Sequence, residues 1–380
     1  PEIADRTMRI LAALSGGVDS AVAAARLRAA GAEVVGVHLR TGVESDDATA
    51  AGNRSCCGAD DARDARRVAA ALELPFYVVD VADAFAGVLD AFVAAYAEGR
   101  TPNPRIDCNR VVKFGRLREI AFELGCEAVA TGHYARRVEG PGGRWRLLRA
   151  LNREKDQSYV LYPLSQDQLA AARFPLGDDV TKDAVRDEAR RLGLEVAAKP
   201  DSQDLCFAPH GDYRRVLEAR APASMRPGEI VDAVTGEVLG RHEGAAGYTV
   251  GQRRGLPAVG APRYVARVDP DASRVEVAPR ERLLRSTVRV ERVNWIDEAP
   301  PDVGFEADVE ARIRHAGGLA AAHLEVVGGD AARIRFDEPV FAPTPGQALV
   351  AYRGDAVLCG GRMTKAPRPE AGAPSEGVSG

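Results

Sequence analysis

Met8-Arg9-Ile10-Leu11-Ala12-Ala13-Leu14, then Ser15-Gly16-Gly17-Val18-Asp19-Ser20, then Ala21–Ala30 is the stretch whose reading decides the fold. The first seven residues read as a buried strand. Two glycines break that pattern, and an Ala-rich helix follows, stopped by Gly31. Strand, glycine turn and helix in that order make an anion site. The glycines let the backbone approach an anion closely. The helix turns its unpaired N–H groups and positive dipole end toward it. Ser15 and Ser20 can add hydroxyl donors, and Asp19 could hold a magnesium ion or its waters. No Gly-Lys-Ser/Thr follows, so this is not the lysine-bearing phosphate loop. A loop without that lysine suits gripping a leaving pyrophosphate. The chemistry implied is attack at the α-phosphorus of ATP, giving an adenylated substrate.

Outward from the loop, strand-like and helix-like segments alternate. Glu33–Leu39 reads as a strand, Ala62–Leu72 as a helix, Phe76–Val81 as a strand, Phe85–Ala97 as a helix and Glu127–Thr131 as a short strand. Alternation predicts an α/β domain, a doubly wound parallel sheet with helices on both faces. A nucleotide would lie across the carboxyl ends of its strands at the switch point. Leu39 and Thr131-Gly132-His133-Tyr134 end two of those strands, with Gly132 allowing close approach. Pro175–Leu192 carries a further helix with Thr181 as its N-cap. From about Gly228 the texture becomes strand pairs with turn signals, at Asp232–Glu237, Tyr264–Val268 and Arg274–Val277. Val288–Trp295, Asp308–Arg314, Leu324–Val327 and Ala332–Phe336 follow, and predict a small β-barrel. The tail from Pro367 is rich in Pro, Gly and Ala and predicts disorder. The expected division is 1–207, 208–282, 283–366 and a tail 367–380.

At 380 residues, two or three domains are expected. Net charge is −4, which argues against a general nucleic-acid coat and leaves room for a local basic face. No apolar run is long enough for a bilayer, and Met8–Leu14 runs into glycines rather than a cleavage site. The expectation is a cytoplasmic protein without a membrane partner. Six cysteines are too few for a disulfide scaffold.

Two of those cysteines stand in distinctive settings. Cys108 lies in Thr101-Pro102-Asn103-Pro104-Arg105-Ile106-Asp107-Cys108-Asn109, where two prolines predict a surface loop, with Arg110 and Lys113 beyond in the start of a helix. Cationic neighbours and a helix start favour the thiolate. Cys206 lies in Lys199-Pro200-Asp201-Ser202-Gln203-Asp204-Leu205-Cys206-Phe207, also loop-like. An adenylating loop with two such cysteines suggests a sulfur relay: one carries a persulfide and the other assists release by forming a disulfide. Adjacent Cys56 and Cys57 read as structural, Cys126 and Cys359 as core or strand residues, and no cysteine-held metal site is expected.

The Ser15–Ser20 hexapeptide resembles the PP-loop ATP pyrophosphatase superfamily. Leu14–Ser20, Thr101–Phe114, Thr131–Tyr134, Lys155-Asp156-Gln157-Ser158-Tyr159, Lys199–Phe207 and Tyr248–Gly255 together resemble the tRNA-specific 2-thiouridylases over nearly the whole chain. That resemblance implies a PP-loop domain, a small central domain and a C-terminal β-barrel. It implies 2-thiolation of the wobble uridine of tRNA with ATP, and with sulfur handed over by a persulfide-donor protein. Ala13, Leu14, Ser15, Gly16, Gly17, Val18, Asp19, Ser20, Leu39 and Gly132 would bind ATP. Cys108 would be the nucleophile and Cys206 the persulfide carrier. Asn103, Pro104 and Arg105 would meet the target base, and His133, Lys155, Asp156, Gln157, Arg314, His315 and Gln347 would contact tRNA. Two positions depart from the family pattern: Arg105 stands where an aspartate is common, and His315 where an aromatic is common. A guanidinium cannot serve as a base, which leaves Asp107 as a substitute or no carboxylate base at all. An ammonia-using synthetase, an iron–sulfur thiolase and a non-catalytic RNA-binding protein remain rival readings.

Overall fold

The structure is a computed structural model, and it describes residues 8–42, 58–200, 205, 207–208 and 213–365. Cys56, Cys57, Cys206 and the 367–380 tail lie outside the described residues.

The first domain opens with β1 (Arg9–Ala13), α1 (Val18–Ala29), β2 (Glu33–Arg40), α2 (Ala59–Ala71), β3 (Phe76–Asp80) and α3 (Ala82–Ala97). Next come α4 (Pro104–Asp107), a π-helical run at Cys108–Arg116, α5 (Leu117–Glu123) and β4 (Ala128–Ala130). A hairpin of β5 (Ala135–Glu139) and β6 (Trp145–Arg149) precedes α6 (Ser158–Leu161), α7 (Gln166–Ala171), β7 (Ala172–Arg173) and α8 (Lys182–Arg191). The parallel sheet has the order β3-β2-β1-β4-β7. Chain order reverses between β1 and β4, which is the switch point the loop reading requires. Apolar side chains on the two faces of the sheet form separate cores, one around Phe85, Phe92, Phe114 and Leu117, the other around Ile10, Val22, Leu27 and Val68. Thr181 caps α8, its hydroxyl accepting from Ala184 N at 3.2 Å, as its sequence position predicts.

After α9 (Arg214–Arg220) the second domain is a sheet of β8 (Gly228–Asp232), β9 (Val238–His242), β10 (Tyr264–Asp269) and β11 (Arg274–Ala278) in the order β10-β11-β8-β9. The third is built from β12 (Leu284–Trp295), β13 (Glu306–Arg312), β14 (Ala320–Gly328), β15 (Ala331–Phe341), β16 (Ala348–Arg353) and β17 (Ala356–Met363). These six strands close into a barrel where β12 pairs with β17, Val290 opposite Met363 and Trp295 opposite Cys359. The first domain's β5–β6 hairpin joins the same sheet, with Leu148 opposite Ala356. Among the described residues, no helix is long and apolar enough to cross a membrane.

Candidate active site

The loop after β1 is shaped by its glycines. Gly16 has φ +71°, and a Cβ there would stand 2.5 Å from the Asp61 carbonyl oxygen at the start of α2. Gly17 is the N-cap of α1, and no side chain caps that helix. The first N–H groups of α1 therefore face outward without a side-chain acceptor, the arrangement an incoming phosphate satisfies. Ser15 and Ser20 brace the loop instead of projecting from it. Ser15 N donates to Ser20 Oγ at 3.1 Å, the two hydroxyls are 3.1 Å apart, and Ser20 Oγ donates to Gly17 O at 3.0 Å. Leu14 and Val18 bury their side chains, so they offer only backbone to a ligand.

Ala13, Leu39 and Gly132 share one edge because β1, β2 and β4 are parallel. Leu39 is 9 % exposed, at the penultimate position of β2. Gly132 touches the loop: a Cβ there would lie 2.7 Å from both Asp19 C and Ser20 N. The residues expected from sequence to bind ATP thus lie together at the carboxyl edge of the sheet.

A lysine that sequence reading missed lies at this edge. Lys182, the first residue of α8, places Nζ 2.5 Å from each oxygen of Asp19, and Tyr134 OH donates to Asp19 Oδ1 at 2.8 Å. This brings to the loop a lysine that lies 163 residues downstream in sequence. The only signal available was that Lys182 follows a good N-cap. Both Asp19 oxygens accept hydrogen bonds here, Oδ1 from Lys182 and Tyr134 and Oδ2 from Lys182.

Lys199 was also missed. Its ammonium donates to Asp61 Oδ1 at 2.8 Å and Asp64 Oδ2 at 2.6 Å, so α2 touches both the phosphate loop and the chain that leads toward Cys206. Burial lowers the Lys199 pKa, but those two carboxylates outweigh it and hold it above the usual value. On the far side of Cys206, Phe207 is 6 % exposed and packs edge-on against Phe92 at 4.9 Å.

Cys108 is in a helix, which corrects the loop expectation. Asn103 is the N-cap, its Oδ1 accepting from Arg105 N at 3.2 Å, and Pro104 takes the first helical position. Proline is tolerated there because that N–H has no helical partner to lose. Cys108 stands where α-helical geometry gives way to π-helical geometry, a form found at functional sites. Gln168 Nε2 supports the wide turn from outside by donating to Arg110 O at 2.8 Å and Phe114 O at 3.0 Å. Asn109 Nδ2 fixes the same helix to α6 through Val160 O at 3.1 Å. Asp107 is 7 % exposed, and Arg362 of β17 donates to its Oδ1 at 2.5 Å.

The residues assigned to tRNA divide. Arg105 is exposed, and His315 of the barrel lies within its electrostatic reach. Desolvation first, then Arg105 and Arg312, push the His315 pKa below its ordinary value, while Asp156 opposes them. Arg314 donates to Phe341 O at 3.1 Å and Ala342 O at 2.8 Å. Lys155 is half-buried. Gln157 receives Tyr134 N on Oε1 at 2.9 Å.

Three others engage their side chains within the fold, Asp156 and His133 buried and Gln347 half-buried. The Asp156 carboxylate is fully buried and accepts from Ala150 N at 3.1 Å, Ser158 Oγ at 3.0 Å and Arg312 Nη1 at 3.3 Å. His133 is 8 % exposed, with Nδ1 2.8 Å from Thr131 Oγ1, and burial followed by Lys113 holds its pKa well below the usual value. The half-buried Gln347 amide donates to Thr101 O at 2.9 Å, just before the Cys108 helix. Buried polar groups must be paired, and these partners serve that need for Asp156 and His133.

The fold defines a three-domain protein whose first domain is an α/β unit with a glycine loop at the switch point of its parallel sheet. Its residues 8–210 match the family model for the tRNA methyl transferase HUP domain, 214–279 the tRNA methyl transferase PRC-barrel domain, and 285–363 the aminomethyltransferase beta-barrel domain. The tRNA-specific 2-thiouridylase MnmA of Rhodococcus jostii is 48% identical over 367 residues, covering 94% of this chain and 98% of that protein. The protein of the same name from Moorella thermoacetica is 47% identical, covering 93% and 98%, and that from Streptomyces coelicolor 46%, covering 97% and 98%. The chain belongs to the tRNA-specific 2-thiouridylase family.

Proposed function

We propose that this protein is an ATP-dependent tRNA sulfurtransferase that converts the wobble uridine, position 34, to 2-thiouridine. The observation that carries the reading is the end-to-end likeness to 2-thiouridylases in a chain that keeps both the phosphate loop and Cys108. The family-model descriptions speak of methyl transfer. The relatives that match from end to end are thiouridylases, and an uncapped helix start beside Gly16-Gly17 suits phosphates.

Uridine O2 attacks the α-phosphorus of ATP, and pyrophosphate leaves into the Ser15–Ser20 loop, where Lys182 adds a positive charge. The terminal sulfur of a Cys206 persulfide then bonds to the adenylated C2. Cys108 thiolate attacks the inner sulfur of that persulfide, forming a Cys108–Cys206 disulfide, and AMP leaves. An external thiol reduces the disulfide, and a persulfide-donor protein reloads Cys206. The target base must leave its stack to reach Cys108, which costs a few kcal/mol, and tRNA contacts offset this. The cytoplasm holds all these reactants.

The test is nucleoside mass spectrometry of tRNA incubated with ATP and a persulfide donor. The expected result is 2-thiouridine at position 34 with equimolar AMP and pyrophosphate, from an iron-free, colourless preparation. Cys206→Ser should give no product while still binding ATP. Full thiolation by that variant would sink the relay, and absence of 2-thiouridine from the wild type would sink the reading.

A further inference from the structure

Phe341, the last residue of β15, carries two guanidinium groups on one ring. Arg280, in the link between the second domain and the barrel, stands 4.2 Å from the ring centroid, and Arg314 stands 5.7 Å from it. The Tyr248–Gly255 turn of the second domain lies against the same place, since a Cβ on Gly251 would be 3.2 Å from Arg314 Nη2. Arg253 and Arg254 follow on that turn and are exposed, as is Arg280. Among the described residues, no carboxylate pairs with any of these four arginines. Elsewhere on the chain exposed arginines do find acids, as Arg333 does with Glu325 at 2.8 Å and Arg116 with Glu119 at 3.0 Å.

Arg280 and Arg314, held on one ring without a counter-charge, repel, and a shared aromatic ring offsets only part of that at an exposed site. An anion placed between them would relieve the repulsion. In a chain of net charge −4, such a concentration is a local feature, not a consequence of composition. The seam also leads to the site. Thr249 of the same turn meets Thr101 hydroxyl to hydroxyl at 3.4 Å, two residues before Asn103 and the Cys108 helix.

We infer that Arg253 and Arg254 of the second domain and Arg280 of the link, with Arg314 of the barrel, form a binding seam for the phosphodiester backbone of the substrate RNA next to its target nucleotide. This rests on the reading of tRNA as substrate. Phosphate contacts fix register and orientation without reading sequence. The second domain thereby gains a role of its own, holding the strand while the first domain acts on the base.

The experiment measures binding of an unmodified tRNA substrate by fluorescence anisotropy across a salt series, for the wild type, Arg253→Ser/Arg254→Ser, Arg280→Gln, and Arg333→Gln as a control for charge loss away from the seam. Each lost phosphate contact should lower the slope of log affinity against log salt by about 0.7 to 0.9. ATP affinity should not change, and the control should keep the wild-type slope. Seam variants that keep the wild-type slope, or that fall no further than Arg333→Gln, overturn the inference while leaving the thiolation reading standing. Failure of the wild type to bind tRNA overturns both.

Discussion

At the scale of single residues, the proposed phosphate site has beside it a charge that its own loop does not carry. Lys182 meets both oxygens of Asp19, and its side chain is 11 % exposed. A phosphate entering beside Gly17 would find that ammonium already in place. Lys182→Met removes a charge-assisted contact of about 1.5–3 kcal/mol, so the KM for ATP should rise about tenfold to a hundredfold in a pyrophosphate-release assay. Unchanged KM and kcat would show that Lys182 serves Asp19 alone. This residue was illegible in the sequence for a physical reason. Its role comes from where α8 packs, and Arg26 of α1 sets that packing by binding Asp179 at 2.7 Å and Glu188 at 2.6 Å. A contact across 163 residues leaves no local pattern to read.

At the scale of elements, local signals were read well where one element decides its own form. The β1 strand, the glycine turn, α1 and the Thr181 cap all declare themselves within a few residues. The helix around Cys108 does not. Its two prolines read as loop, yet one of them starts the helix, and π geometry has no sequence signature apart from the Gln168 side chain that supports it. Gly132 tests the packing of element against element. It has no positive φ, so only space is at issue, and a methyl group there meets the backbone of Asp19 and Ser20 at 2.7 Å. Gly132→Ala should cost about 1–3 kcal/mol of stability by overpacking and weaken ATP binding in a direct titration. Gly87→Ala is the control: a Cβ at Gly87, inside α3, meets nothing within 4 Å, so it should stabilise by about 0.5–1 kcal/mol. Equal behaviour of the two variants would remove the close-approach argument.

At the scale of the whole molecule, the barrel is part of the site and not an appendage to it. The β5–β6 hairpin extends the barrel sheet from within the first domain, a pairing that joins Leu148 to Ala356 and that no local sequence pattern announces. Thr101 N donates to Pro345 O at 2.8 Å, Gln347 holds Thr101 O, and Arg362 holds Asp107, so the barrel grips both ends of the segment entering Cys108. Sequence reading offered Asp107 as a substitute base. The ion pair offers another role, that of a tie between domains, and the two roles separate experimentally. If Asp107 is the base, Asp107→Asn should abolish thiolation while Arg362→Gln keeps most of it. If Asp107 is a tie, both variants should lower kcat to a similar extent, with the KM for ATP unchanged, and the double variant should be little worse than either. A double-mutant cycle on stability should then give a coupling of about 0.5–3 kcal/mol, the range for residues in direct contact. We expect the second pattern, because the Asp107 carboxylate is buried and already engaged at 2.5 Å by Arg362. Additive losses in both stability and rate would show that the barrel does not hold the Cys108 helix through this pair.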